Sequence, residues 1–562
     1  MALPDEHLPG DQSSRGKLID ALTDPRCLTW LLVAAVALWL RWVFACSAGG
    51  LWRDEANSAA IVGGSSLRDL WAGLDLDSFP ILWLFCLRYV HVVGGDADFS
   101  YRLFGFASSV LSLIALVLIA RDTPVRWPVF STVLLGLSPC VIHWGGSSRA
   151  YGWGMLALLA MFWTYWRLIR SPDAKKCAWA TLACVAAVQT LYTCAAFVAA
   201  LAVSAAVVAL RQKMTVRRVI MIFAPAAIAA FTYVPYIPVF QRQHAWSALV
   251  QHPVGMAWLI HKFASAIAVP SPYVLYIWSI LFLAAIVAGL YRLLANRGER
   301  SAIDRDFTAF ALLAPIIAVV LYFGFLFALR YPTQPWYYLG LMTVGALSID
   351  SLLMPLFDRG MLRYVAPVFA IGYLWAFTLS VQTSVMVRQT NLDLGAASLA
   401  QATGPGDLIV LSTWEHGVTF NRYYRGDAPW TTVPPMSSHM AESYVPVKQA
   451  MMERDPMQSL FQSCATVLKH GGKVYVIDGV RDGYPRGHAT VYPPAPGGPF
   501  GWDSQVYIFS WKCQLGLFLY SHAANVKYGR FQSNLPVNGY EDPEVQVFDG
   551  WRSDAAHREA GK

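Results

Sequence analysis

Long apolar stretches, separated by short polar segments, dominate the first two thirds of the chain. A helix needs about 20 apolar residues to cross the hydrocarbon core of a bilayer. By that measure spanning helices are predicted near 27–46, 102–120, 127–143, 150–169, 177–192, 193–210, 218–237, 273–291, 307–328, 336–355 and 364–382. The run 177–210 is too long for one crossing and carries Gln189, Tyr192 and Thr193 at its centre, so it divides there. A further run, 78–94, is short and contains Arg88 and His91.

The charges between these runs orient them. Let the first helix run outward from the cytoplasm, and leave 78–94 out of the count. The inside loops then hold Arg121 and Arg126; Arg170, Lys175 and Lys176; Arg211, Lys213, Arg217 and Arg218; Arg292, Arg297, Arg300 and Arg305; Arg359 and Arg363. The N-terminal tail, 1–26, adds Arg15, Lys17 and Arg26. The opposite loops are poorer in Lys and Arg for their length, as the positive-inside rule requires. Counting 78–94 as a span would invert every later loop, so this segment is expected along the membrane surface as an amphipathic helix. The first outer loop, 47–101, and the polar tail, 383–562, then both fall outside the cytoplasm.

The tail has α/β character. "DLIVLS" (407–412) and "GKVYVID" (472–478) read as buried strands, each after a plausible helix and a Gly-rich turn. "SQVYIFSW" (504–511) is a third strand candidate. The expected fold is therefore an α-helical polytopic membrane protein of about eleven spans over 27–382, followed by an extracytoplasmic α/β domain.

Composition agrees. Of 562 residues 56% are hydrophobic and only 14% charged, whereas soluble proteins carry about 25% charged residues. The net charge of +8 does not point to nucleic acid, because the basic residues lie in short clusters between apolar runs and form no patch. Nine cysteines show neither CxxC nor His/Cys ligand spacing, so no zinc or redox motif is indicated. Cys464 and Cys513 are the tail's only cysteines; an extracytoplasmic compartment permits their disulfide, and the sequence leaves open whether they meet.

Candidate chemistry gathers in the first outer loop. "GGLWRDEANSAAIV" places Asp54 and Glu55 just beyond the first span, and "LDLDSFPILW" places Asp75 and Asp77 just before Pro80. Carboxylates there can bind a divalent cation through oxygen ligands, or take a proton from an attacking hydroxyl. Helix capping by Asp54 or Asp77 is the plain alternative.

"WRDEANSA", then "DLDSFP" before a surface helix, then "FSYRLFGFASSVL" at the second span resembles the GT-C class of integral-membrane glycosyltransferases. The likeness is nearest to bacterial members related to protein mannosyltransferases and the lipid A aminoarabinose transferase. It continues at "LSPCVIHWGGSSRAYGWGMLALL" (137–159), "LYTCAAF" (191–197) and "GDLIVLSTWEHGVTFNRYYRG" (406–426), and so covers most of the chain. The resemblance implies a bacterial cytoplasmic-membrane enzyme that moves a sugar from a polyprenyl-phosphate donor to a lipid, glycan or protein acceptor on the outer face. Asp54 would be the catalytic base, with Asp77, and Asp75 beside it, in the same acidic site. Glu55 would support that site or contact a divalent metal, which only part of the class requires. The chain departs from the pattern at Ser147, where many relatives carry an acidic residue, and at Cys194, where many carry His. Both departures count against a metal.

A polyprenyl-phosphate leaving group is an anion at the membrane surface, so the site needs outer-face cations. Arg149, Arg330 and Lys262, the last with His261 and His252 nearby, are the candidates. Snorkelling to lipid headgroups is the competing explanation. Around Arg330, "LRYPTQPWYYL" brings Tyr331, Gln334, Trp336, Tyr337 and Tyr338; with Tyr151 these could line a substrate groove or belong to the interfacial aromatic belt. The rival function is a transporter or flippase of lipid-linked sugars. Such proteins place broken or charged segments at the midplane and show repeat symmetry, whereas here the carboxylates lie in an outer loop and no repeat is visible.

Overall fold

The computed structural model describes residues 23–64, 66–247, 254–294, 302–330, 332–358, 360–483, 486–497 and 503–552. Of the residues named above, Arg15, Lys17, His252, Arg297, Arg300, Tyr331 and Arg359 lie outside them.

Among the described residues, eight helices are long and apolar enough to cross a membrane: Pro25–Ser47, Asp98–Asp122, Cys194–Arg211, Val216–Gln243, Pro272–Leu294, Ala302–Leu329, Pro335–Leu356 and Gly360–Val385. Each coincides with one of the expected spans. The other three expected runs fall on Tyr151–Arg170, on Ala174–Thr190, and on a pair of short helices, Val129–Gly136 and Pro139–Gly145.

That pair corrects the single continuous helix expected over 127–143, and its cause is local. Pro139 has no N–H to continue the ladder, and the Ser138 hydroxyl caps the second helix by accepting from Val141 N at 3.4 Å. The carbonyls of Leu135 and Gly136 are left over inside the bundle. Arg41, buried in the first span, takes both at 3.1 and 2.7 Å. The N-terminus of the first short helix is served by Asp350, which accepts from the backbone N–H groups of Phe130 and Ser131 at 3.0 and 2.7 Å.

The run 78–94 forms helix Ile81–Gly94, whose 14 residues are too few to span a bilayer. Its buried face is Trp83, Leu84 and Leu87. Arg88 turns inward to the Val62 carbonyl at 3.1 Å, which ties this helix to helix Arg53–Val62 of the first loop.

The C-terminal part is a five-stranded sheet with helices. Its strands are β1 (Leu408–Leu411), β2 (Trp430–Thr432), β3 (Lys473–Ile477), β4 (Ala523–Arg530) and β5 (Glu544–Trp551), in the order β2-β1-β3-β5-β4. β2, β1 and β3 are parallel, whereas β5 joins β3 and β4 antiparallel. Strands β1 and β3 are the expected ones. Their alternate residues feed two cores: Leu408, Val410, Val474 and Val476 on one face, Ile409, Leu411, Tyr475 and Ile477 on the other. Burial on both faces is why they read as unbroken apolar runs.

The third expected strand is wrong. Residues 504–511 open helix Ser504–His522, capped by Asp503, which accepts from Gln505 N at 2.9 Å. Buried Ile508, Trp511, Leu515 and Leu519 recur at helical spacing, and that longer pattern overrides the β-formers at its start. Cys464 and Cys513 are both buried and both free, so the disulfide that the compartment would permit does not form.

Candidate functional site

The first span ends at Ser47, and after five intervening residues helix Arg53–Val62 begins. Its N-terminus is closed by two carboxylates. Glu55 accepts from Trp52 N at 3.4 Å, and Glu541, from the C-terminal domain, accepts from Arg53 N at 3.0 Å. Glu55 is itself buried. Its other oxygen receives the guanidinium of Arg102 and the amide of Ser148 at 2.8 Å. One carboxylate therefore fixes the loop helix against the span Asp98–Asp122 and against the turn that carries Arg149.

Arg149 is the centre of the arrangement. Its Nη1 donates to the Ser58 hydroxyl at 2.6 Å and to the Asp54 carbonyl at 2.8 Å. The same nitrogen lies 3.1 Å from Asp77 Oδ1, and Nη2 lies 3.7 Å from Asp54 Oδ2. The guanidinium also sits 4.2 Å above the ring of Phe79. Asp77 has no exposed side-chain surface; it also accepts from Ser58 Oγ at 2.6 Å and from Ser78 N at 2.7 Å. Burial raises its pKa above the ordinary carboxylate value, with Arg149 and these hydrogen bonds opposing the rise. Burial likewise works against the charge on Arg149, but Asp77 and Asp54 outweigh it and hold the guanidinium firmly protonated.

Asp54, unlike the fully buried side chains of Glu55 and Asp77, keeps an edge on open space. Its Oδ1 accepts from Arg53 Nε at 3.0 Å, and 14% of the side chain remains exposed. Arg53 stretches on toward Glu442, Nε to Oε2 3.8 Å. Glu442 comes from the C-terminal domain, and its backbone N–H is latched to Asn57 Oδ1 at 2.7 Å. Burial pushes the Glu442 carboxyl up to about 7, against the pull of Arg53 and with the Asp54 charge reinforcing it. Burial also raises Glu415, again opposed by Arg53.

These groups surround a cavity of about 1350 Å³ including its mouth. Asp54, Asp75, Asp77, Arg149, Tyr151, Gln334 and Trp336, all singled out from sequence, lie on its wall. Asp75 sits near the rim and pairs with Arg242 at 3.2 Å. Trp336 packs closely against Trp144, the rings tilted by 51° with centroids 4.2 Å apart, and meets Tyr540 at 5.6 Å; the Tyr540 hydroxyl donates to Gln334 Oε1 at 3.2 Å. Three sequence candidates are elsewhere. Glu55 lies behind the wall, and Arg330 is exposed, with φ +51°, two residues before the lining residue Pro332. Lys262 rests over the ring of Trp258 at 4.8 Å.

The carboxylates do not form a cation cage. Arg149 lies between Asp54 and Asp77, Arg242 holds Asp75, and Arg102 with Ser148 holds Glu55. Among the described residues no group of three or more His, Cys, Asp or Glu side chains could hold a metal ion. Ser147 turns back to the Trp144 carbonyl at 2.7 Å, and buried Cys194 begins its helix after the expected break at 191–193. This donor set does not fit a divalent cation.

Sequence reasoning missed Arg53, Asn57, Glu415, Glu442, Tyr444, Gln505 and Tyr540 on the same wall. Arg53 and Glu415 stand inside quoted motifs, but nothing in a linear motif signals that Glu442 or Tyr540 returns to the first loop.

No family model matches the chain, and no curated protein matches it. Solved structures do. ArnT from Cupriavidus metallidurans in the apo state aligns with a TM-score of 0.52 and 13% identity, over 92% of this chain and 97% of that one. The same protein bound to undecaprenyl phosphate aligns at 0.50 and 14%, over 80% and 92%. Archaeoglobus fulgidus AglB, an archaeal oligosaccharyltransferase in complex with an inhibitory peptide and a dolichol-phosphate, aligns at 0.46 and 11%, over 81% and 69%; that score adds no weight. The chain shares the fold of ArnT.

Proposed function

We propose that this chain is a polyprenyl-phosphate-dependent glycosyltransferase whose active site is the cavity walled by Asp54 and Arg149. It moves a sugar from the lipid-linked donor to an acceptor hydroxyl, with Asp54 as general base. The face that carries the cavity and the C-terminal domain points away from the cytoplasm, as the distribution of Lys and Arg requires.

One observation carries the reading: Asp54 lies on the cavity wall with part of its side chain exposed, and two guanidiniums, Arg53 and Arg149, approach its carboxylate. In the proposed step an acceptor hydroxyl gives its proton to Asp54, and its oxygen attacks the anomeric carbon. The bond from that carbon to the phosphate oxygen breaks, and the polyprenyl phosphate leaves as an anion with the electron pair. Attack opposite the leaving group inverts the anomeric centre. Arg149 is committed to Asp77, Ser58 and the Asp54 backbone, so it acts by positioning. Arg53, on the cavity wall with a third of its side chain exposed, is better placed to meet the phosphate, and a guanidinium suits two phosphate oxygens. Arg330, next to the rim, stays in the proposal as an outer phosphate contact; Lys262 has no part in it.

The test uses the full chain in detergent with a radiolabelled polyprenyl-phosphate sugar. Asp54→Asn is expected to lower transfer by about 10²–10⁴-fold while size-exclusion behaviour and helicity stay unchanged. Full transfer by that variant would refute the reading. Transport of the intact lipid across vesicles with no cleavage of the sugar would replace it with the flippase.

A further inference from the structure

We infer that the acceptor is an uncharged polyhydroxyl chain, a neutral glycan, held against the cavity wall that the C-terminal domain supplies. This rests on the transferase reading and names the substrate class of the same site.

The first ground is topology. In the parallel part of the sheet, β2 and β3 flank β1 on opposite sides, so the strand order reverses there. Open α/β sheets take ligands outside the carboxyl ends of their strands at such a reversal. In this chain the segments after two of those ends, β1 and β2, reach the cavity. β1 ends at Leu411 and the chain reaches the wall at Glu415; β2 ends at Thr432 and the chain reaches it at 442–445. The domain thus turns its ligand-taking edge toward Asp54.

The second ground is charge. The described lining holds five carboxylates, Asp54, Asp75, Asp77, Glu415 and Glu442, against two guanidiniums, Arg53 and Arg149. Both guanidiniums lie on the first-loop side and both are paired with carboxylates. The C-terminal wall brings Glu415 and Glu442 and no Lys or Arg among its described residues. An acceptor phosphate on that wall would meet two carboxyl groups and no cation, in a site that must already receive the donor's phosphate.

The third ground is fit. Carboxyl and amide groups of Glu415, Glu442 and Gln505 can bond hydroxyls as acceptors, and Gln505 also as a donor. The rings of Trp336, Tyr444 and Tyr540 offer apolar faces for the C–H side of a sugar.

The test is binding to the full wild-type chain in nanodiscs with no donor present, so that nothing turns over. The probes are neutral gluco-, manno- and galacto-configured tetrasaccharides, each paired with its phosphate monoester, read by tryptophan fluorescence. At least one neutral member is expected to bind, about tenfold or more tighter than its phosphorylated partner. In Glu415→Gln/Glu442→Gln that ratio is expected to shrink to about threefold or less. Absence of binding by all neutral probes, tighter binding of a phosphorylated partner, or an unchanged ratio in the folded double variant would overturn the inference. If that variant does not fold, the wild-type ratio decides. Because no transfer is measured, the preference can stand even where Asp54→Asn refutes the transferase, and can fail while the transferase reading holds.

Discussion

Arg149→Met removes one member of a pair that water does not reach. Asp77 has no exposed side-chain surface and Arg149 retains 5%. Deleting the guanidinium leaves the carboxylate with the Ser58 hydroxyl and the Ser78 amide as its remaining contacts. Breaking a buried pair from one side costs about 3–5 kcal/mol, because the stranded charge has lost both water and counter-ion. The contact with Phe79 adds about 1 kcal/mol to that loss. Protonation limits the damage, since each pH unit below the pKa of the stranded acid returns about 1.4 kcal/mol. Asp77→Asn in the same chain takes the charge away and keeps an oxygen for Ser58 and Ser78. The double variant is therefore expected to be about 2–3 kcal/mol more stable than Arg149→Met alone. Reversible SDS unfolding in mixed micelles, run for wild type, both single variants and the double variant, gives the coupling directly. A double variant no more stable than Arg149→Met, measured well above the ordinary carboxylate range, would mean that stranding Asp77 costs nothing, and the account of the buried pair would fail.

Two further outcomes follow from buried carboxylates. Burial holds Glu541 at about 7 against an ordinary 4.5, with Thr390, Thr419 and Arg53 opposing. The folded state therefore keeps this proton longer than the unfolded chain does, and its contribution, on the order of 3 kcal/mol, is full below pH 4.5 and lost as pH rises through 7. Unfolding midpoints at pH 5 and pH 8.5 are expected to differ less in Glu541→Gln than in wild type, and equal slopes would remove the argument. Glu442, also held near 7, keeps part of the slope. Arg102→Met strands Glu55 and is expected to cost about 3–5 kcal/mol, most of it recovered in Arg102→Met/Glu55→Gln; a double variant as weak as the single one would count against the pairing.

What could be read from the sequence is what local patterns record. Eight spans follow from runs of apolar residues, and β1 and β3 from short runs bounded by Gly turns. The first-loop half of the cavity was legible too, since Asp54, Asp77 and Arg149 stand in compact motifs whose helix ends all reach one face. The failures are equally physical. At 127–143 apolar composition hid a break, because Pro139 ends a ladder whatever surrounds it and buried Arg41 accepts its consequences. At 504–511 eight residues of β-forming type were too short a window to reveal a stripe that runs from Ile508 to Leu519.

The second half of the cavity was illegible for a different reason. Glu442 meets Asn57 across 385 positions and Glu541 meets Arg53 across 488, and no spacing rule reaches so far. Yet those contacts bear on the motif that was legible. An N-terminal helix amide needs an acceptor, and Arg53 N takes it from Glu541. Asn57, one turn on, is tied between the Leu76 carbonyl at 2.8 Å and the Glu442 amide. Asp54 lies between these two anchors on the same turn. Its direction into the cavity is therefore set jointly by the membrane helices, through Arg149, and by the C-terminal domain, through Glu541 and Glu442. A domain that only covered the bundle would have no reason to supply the cap of the helix that carries the proposed base.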